Sequence, residues 1–459
     1  MNKFKICLFS ALLFSCTSFA QSKSGSKSAV SNAADKPKLI VGLVIDQMRW
    51  DFLYRYKALY GKNGFNRLIA EGFSCENTFI PYVPTYTAPG HACVFTGSVP
   101  ALNGIISNNW YNTTTGKSVY CTDDSTVTTV GSTTNAGKMS PANLWPTTIT
   151  DELRLSSNFQ SKVFGIALKD RGSILPAGHS ANAAYWYDDK VGKWITSTWY
   201  MNALPNWVND FNNADPVGKY MQTDWALLLP ENQYTLSTED DKPYEGKIKG
   251  LKTATFPHQL STLQTGKYEA FKTTPYAASY TFDFAKQLID KEQMGKSAYP
   301  DFLTVSISST DYIGHTFGPN SREMQDAYLR LDVDIANFLK HLDASVGKGN
   351  YLLFLTADHG VAHVPGFLAE HKIPAGTVSD FDLMDQLNKA VENEMGIKKA
   401  VSSVQNYQVY LNRNSIKEQG KSAAEVISIC IDELKKKKNI VTAVETAELG
   451  KASLPEAQR

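Results

Sequence analysis

Residues 38–45, Lys-Leu-Ile-Val-Gly-Leu-Val-Ile, form a nearly unbroken apolar run that ends at Asp46. Alternation would mark a strand with one wet face, whereas a continuous run predicts a parallel strand covered on both sides. The same pattern returns at 302–308, running toward Asp311, and at 351–356, running toward Asp358-His359. Three buried strands are thus expected to deliver a carboxylate each beyond a C-terminal end, where open α/β sheets bind their ligands. A fourth run, 163–168, leads into Lys169-Asp170-Arg171. Helical periodicity over 321–343 and 422–438 supplies covering helices, so the expected class is α/β with a mainly parallel central sheet flanked by helices.

Between about 180 and 270 the texture changes. Five of the eight Trp residues (Trp186, Trp194, Trp199, Trp207, Trp225) fall there among Tyr, Asn and Pro. The stretch reads as an aromatic-rich cap or insertion, either binding a ligand such as a sugar or forming a satellite core packed on the main domain. The first twenty residues differ again: Lys3 and Lys5 precede an apolar stretch from Ile6 to Phe14, and Ser18-Phe19-Ala20 puts small residues at a cleavage site. This is the pattern of a secretory signal peptide. A lipoprotein signal ending at Cys16 is the rival, against which stands the bulky Phe14. Residues 21–37 are small, polar and aperiodic, a flexible tether, and the folded domain is expected over 38–459.

Composition narrows the function classes. With 46 Lys+Arg against 45 Asp+Glu, the chain lacks the cationic surface that nucleic-acid binders need. Loss of the leader would remove Lys3 and Lys5 and no acid, so neutrality survives export. No stretch reaches the roughly 20 apolar residues that span a bilayer, so no stable membrane span is expected; the leader makes the protein an exported one, periplasmic or secreted, expected as a monomer. Export permits disulfides; Cys75 and Cys93 flank one short loop and are the first candidates for a pair, with free thiols the alternative among Cys75, Cys93, Cys121 and Cys430.

The pairings of residue types carry the chemistry. Asp311-Tyr-Ile-Gly-His315 and Asp358-His359 combine oxygen and nitrogen donors that suit Zn²⁺, with Mn²⁺ the main competitor. Two metals about 4 Å apart stabilise both the attacking and leaving oxygens of a displacement at phosphorus. In Pro84-Thr85-Tyr86-Thr87-Ala88-Pro89-Gly90-His91, Pro89 suits a first helical turn and Thr87 an N-cap. A Thr there is ordinarily a cap; it becomes a nucleophile when a metal lowers its pKa and the helix N-terminus receives an anion. Lys169 and Arg171, two apart after a buried strand, can share a dianionic phosphoryl group.

In chain order, Asp46, Thr87 in Thr-Ala-Pro-Gly-His, Asn108 in Ser-Asn-Asn-Trp-Tyr, Lys169-x-Arg171, Asp311-x-x-x-His315 and Asp358-His359-Gly360 resemble the alkaline phosphatase superfamily, and within it the PafA-type alkaline phosphatases. The resemblance spans 38 to about 370. It implies a zinc-dependent phosphomonoesterase acting on small-molecule phosphate monoesters through a phosphothreonine on Thr87. One Zn²⁺ would be held by Asp46, Asp358, His359 and Thr87, a second by Asp311 and His315, and Asn108, Lys169 and Arg171 would bind phosphoryl oxygens. The family completes the second zinc site with a His from the C-terminal part of its catalytic domain. Here no His follows His371, so a C-terminally shortened chain with an incomplete second site is expected; His363 is a substitute that the resemblance does not support.

Two rivals remain. Nucleotide pyrophosphatases and phosphodiesterases share the metal ligands and Thr but resemble a family without the Lys-x-Arg pair. An inactive fragment that binds metal and phosphate is the non-enzymatic reading. A sulfatase is disfavoured, because that family requires a Cys or Ser convertible to formylglycine, usually followed by Pro and Arg at fixed offsets, where this chain has Thr87 and His91.

Overall fold

The computed structural model describes residues 36–452. The leader expected at 1–20, and all but the last two residues of the tether expected at 21–37, lie outside the described residues. In chain order the strands are β1 (Leu39–Ile45), β2 (Asn109–Asn112), β3 (Lys117–Tyr120), β4 (Thr129–Val130), β5 (Val163–Ala167) and β6 (Ala183–Asp188). They continue as β7 (Lys193–Ser197), β8 (Asp301–Ile307), β9 (Tyr351–Thr356), β10 (Val401–Gln405) and β11 (Gln408–Leu411). Seven of them make one sheet in the order β4-β7-β6-β5-β8-β1-β9. Its β6-β5-β8-β1-β9 portion is parallel, and β7 and β4 join antiparallel.

The apolar runs become strands because both faces are covered. Leu39, Val41, Leu43 and Ile45 of β1, with Leu303, Val305 and Ile307 of β8, point into the main core shared with the helices Tyr276–Lys291 and Arg322–Leu342. The intervening residues Val44 and Phe302 point the other way, onto Phe95 of the helix Thr87–Thr96, as a period of two requires. The expected helix at 321–343 is Arg322–Leu342, begun by Ser321, whose side chain caps Met324 N–H. The helix expected at 422–438 is Ala423–Lys435.

Three expectations need correction. β9 is not a fully buried strand: it pairs only with β1 at the sheet margin, and Leu352 is 54% exposed. The aromatic-rich stretch at 180–270 begins inside the sheet, since β6 and β7 are two of its strands; Trp194 stacks on Tyr280 and Phe284 at 5.0 and 4.6 Å, and with Trp225 it belongs to the main core. Tyr, Trp and Phe favour strands as much as they favour caps, which is why the texture misled. Third, Cys75 and Cys93 are free thiols: Cys75 lies exposed on the loop before the Thr87 helix, and Cys93 Sγ accepts from Asn103 Nδ2 at 3.4 Å.

A second, smaller core follows the sheet. Leu383, Leu387 and Val391 of the helix Asp380–Met395 pack on Val426 and Cys430 of the helix Ala423–Lys435, under the β10–β11 hairpin.

Candidate metal-dependent active site

Strand register brings the candidate residues together. Ile45 of β1 pairs with Ile307 of β8, Val44 with Thr356 of β9, and Ala167 of β5 with Ser306 of β8, so all four strands end at one rim. Asp46 follows β1, Lys169 follows β5, and Asp358-His359 follow β9. After β8 the chain turns into the helix Ser309–Phe317, with Asp311 in its first turn and His315 one turn on. That spacing puts both on one helix face, with His315 Nε2 3.3 Å from Asp311 Oδ1.

Thr87 is the first residue of its helix and not the cap; Tyr86, extended at φ −136° and ψ 166°, holds that position without a side-chain bond. The capping acceptor comes from outside: Asn108 Oδ1 receives Ala88 N–H at 2.8 Å. Gly90 is required where it stands, because a Cβ there would lie 2.3 Å from the Asp358 carbonyl oxygen. Thr-Ala-Pro-Gly-His thus lets the Thr87 helix lie directly against the Asp358 backbone.

The centre is a buried cluster of charge. Lys169 Nζ donates to Asp46 Oδ2 at 2.7 Å, to Asp311 Oδ2 at 2.6 Å and to Thr87 Oγ1 at 3.2 Å. His359 Nε2 lies 3.4 Å from Asp46 Oδ1, 3.6 Å from Asp358 Oδ2 and 3.9 Å from Asp311 Oδ1. Burial, reinforced by Asp358, pushes the Asp46 carboxyl up to about 7. Burial also acts to raise Asp358, but His359, His91 and Lys169 hold it down at about 2. Asp311 is likewise opposed by burial and carried well below the carboxylate range by Lys169 and His315. Lys169 is held up, against burial, by Asp46 and Asp311.

This donor set fits a divalent cation. Asp46 Oδ1 and Asp358 Oδ2 are buried without a hydrogen-bond partner, a costly condition for a carboxylate unless a cation meets it. Asp46, Asp358 and His359 offer ligand atoms within 4.8 Å of one another, the one such group of three among the described residues. Asp311 and His315 stand beside it as a pair. His363 is engaged elsewhere: its Nδ1 meets Asn320 Oδ1 at 2.7 Å and its Nε2 meets Arg49 at 3.3 Å.

Lys169 and Arg171 separate. Lys169 turns into the carboxylates, whereas Arg171 Nη1 donates to Tyr120 Oη at 3.0 Å and its buried Nε has no partner. Both border a cavity of about 240 Å³ with Tyr312 and Lys272.

Several positioning residues carry no sequence signal. Gln47, in the left-handed region at φ 64°, donates its backbone N–H to Asp358 Oδ1 at 3.1 Å and its side-chain amide to Asp311 Oδ1 at 2.8 Å. It joins the two halves of the donor set. His91 donates Nδ1–H to the Thr87 carbonyl at 2.8 Å, bonds Ser306 Oγ at 2.8 Å and stands 3.3 Å from Asp358 Oδ2. Thr310 Oγ1 donates to the Asp46 carbonyl at 2.6 Å. Tyr120 also donates to Asp170 Oδ1 at 2.7 Å, fixing the acceptor that Arg171 meets. The position of Gln47 next to Asp46, and of His91 four after Thr87, were the only available hints.

Residues 40–457 match the family described as type I phosphodiesterase/nucleotide pyrophosphatase. The chain is 49% identical to alkaline phosphatase PhoV of Synechococcus elongatus, over 98% of this chain and 82% of that protein. It is 49% identical to alkaline phosphatase PafA of Elizabethkingia meningoseptica over 93% and 78%. A Myroides odoratus protein bearing the name calcium-transporting ATPase is 51% identical over 94% and 79%. The crystal structure of wild-type alkaline phosphatase PafA superposes with a TM-score of 0.90, at 49% identity, over 93% of this chain and 82% of that one.

Proposed function

The chain belongs to the type I phosphodiesterase/nucleotide pyrophosphatase family of the alkaline phosphatase superfamily, and from that premise we propose that it is an alkaline phosphatase that hydrolyses phosphate monoesters through a phosphothreonine on Thr87. The observation that carries the reading is the convergence of Thr87 Oγ1, Lys169 Nζ and three buried carboxylates with His359 at one sheet rim.

In this reading Asp46, Asp358, His359 and Thr87 hold one Zn²⁺, and Asp311 and His315 hold another. Bound zinc supplies concentrated positive charge and makes a hydroxyl acidic enough to react near neutral pH. Thr87 Oγ1 attacks phosphorus from the end of its helix, forming a new P–O bond as the ester P–O bond breaks and the alcohol leaves with a proton. Water then attacks the phosphothreonine, restores the Thr87 hydroxyl and releases inorganic phosphate. Because Asn108 Oδ1 is held by Ala88 N–H, its Nδ2 is left to donate to a phosphoryl oxygen. The unpartnered Nε of Arg171 is a second such donor, and Lys169 adds a point charge beside the nucleophile.

The family description favours a second reading, a phosphodiesterase or nucleotide pyrophosphatase. Lys169 and Arg171 favour the monoester, whose additional negative charge they balance. The relative named as a calcium-transporting ATPase offers no matching argument from this site. We place the enzyme outside the cytoplasm, as a monomer acting on small soluble esters; among the described residues no helix is long and apolar enough to cross a membrane. Rates for p-nitrophenyl phosphate and bis(p-nitrophenyl) phosphate on zinc-loaded protein at alkaline pH test the assignment. Preference for the monoester is expected. Preference for the diester would move the protein to the phosphodiesterases, and turnover of neither would refute both.

A further inference from the structure

The turn between β10 and β11 sits beside the phosphoryl-binding Asn108. Ser107 Oγ donates to Asn406 Oδ1 at 2.9 Å, and Asn406 Nδ2 donates to the Asn109 carbonyl at 2.8 Å. The turn residue therefore grips the chain on both sides of Asn108. A second contact secures the hairpin, with Tyr410 of β11 against Tyr111 of β2 at 5.3 Å between ring centroids.

Gln405 pairs with Gln408, so Asn406 and Tyr407 are the two residues of the turn, and both have positive φ, 56° and 61°. A turn of this kind favours Asn followed by Gly. Asn is present, but a bulky aromatic occupies the position where glycine would be free of steric cost. The Tyr407 ring is also 90% exposed, among the largest exposures of any apolar side chain in the described residues. Strain and exposure together, on a loop fastened to the site, are the kind of local cost retained for binding. The turn that carries Tyr407 is thus fastened to both neighbours of Asn108, and Asn108 itself reaches the start of the Thr87 helix, where its Oδ1 accepts from Ala88 N–H at 2.8 Å.

We propose that Tyr407 is a specificity-determining residue, a stacking platform at the mouth of the site that favours phosphate esters of planar aromatic alcohols, with Asn406 as the residue that positions it. The proposal deepens the phosphatase reading and rests on it for the location of the phosphoryl group. An aromatic leaving group emerging past Asn108 meets the ring face, whereas a small alkyl group does not reach it.

The test is isothermal titration of phenylphosphonate and methylphosphonate into zinc-loaded wild-type protein, Tyr407→Gly and Tyr407→Phe. Glycine is the residue this turn favours, so the first variant should fold, which its Tm checks. Tyr407→Gly is expected to lower the preference for phenylphosphonate over methylphosphonate about fivefold to tenfold, the worth of one aromatic contact, and Tyr407→Phe is expected to retain it. An unchanged preference in Tyr407→Gly, an equal loss for both ligands, or binding of neither by the wild type would overturn the proposal. Failure of the wild type to hydrolyse p-nitrophenyl phosphate would instead overturn the phosphatase reading, and a Tyr407-dependent binding preference would still stand beside it.

Discussion

Two acidic clusters, each built around buried carboxylates, solve the same electrostatic problem in opposite ways in this molecule. At the sheet rim, Asp46, Asp311 and Asp358 surround Lys169 with His359 and His91 nearby, and Asp311 and Asp358 are held ionised despite burial. Beneath the loop 237–258, Glu323, Glu245 and Asp240 gather around His258 with no Lys or Arg side chain bonded among them; Glu323 Oε1 lies 3.0 Å from His258 Nε2. There burial pushes Glu323 and Glu245 up to about 8 and His258 down to about 4, so these three groups lose their charge near neutral pH. Both contain carboxylate oxygens without partners. What separates them is a cation at the centre and donor atoms that converge, which only the rim cluster has among the described residues. Orphaned oxygens alone do not define a reactive site; ionised ones arranged to share a cation do.

Substitutions can break this contrast, the most damaging first. Thr87→Ala removes the proposed nucleophile from the charged cluster and should lower turnover by a factor on the order of 10⁴ or more, as measured with p-nitrophenyl phosphate. Arg171→Ala leaves the donor set intact but removes a proposed phosphoryl partner. Its kcat/KM for monoesters should fall about 10²-fold further than for diesters; equal slowing of both would refute its role in selecting dianions. Gln47→Ala unties Asp311 from Asp358, and zinc affinity measured by competition with a chelator should drop about tenfold. No change would mean that the two halves of the donor set are held by their strands alone.

The smallest effect on activity, and the sharpest on stability, is expected at Glu323. The Glu323 carboxyl is raised from 4.5 to about 8. Between those values the unfolded chain has released the proton that the folded one keeps, so stability falls as pH rises through that window. Glu323→Gln should remove this slope, giving a Tm advantage over wild type that grows toward about pH 8 with phosphatase rate unchanged. A Tm difference independent of pH would show that Glu323 is ionised in the folded protein.

The strands were legible because burial on both faces demands continuous apolar runs, and the ends of β1, β5, β8 and β9 fell within a residue or two of the expected positions. Asp46, Asp358-His359 and Asp311-x-x-x-His315 were legible for the same reason, being polar residues placed where such runs stop. The edge position of β9 was not, since its composition matches that of an interior strand and only pairing distinguishes them. Nor were β6 and β7, whose aromatic residues satisfy a strand and an insertion equally well. Gln47 escaped notice because its role depends on a left-handed backbone and on two partners more than 260 positions away. The Asn406–Tyr407 turn is similarly invisible, because its contact with Ser107 and Asn109 spans almost three hundred residues.

The central claim is that the rim cluster serves a covalent step at Thr87, and it is tested most directly by acid-quenching zinc-loaded protein during turnover of a monoester and mapping the phosphate by peptide mass spectrometry. The account predicts phosphate on the peptide containing Thr87 in the wild type and none in Thr87→Ala. Steady turnover without a phosphorylated peptide, or phosphate on another residue, would contradict it.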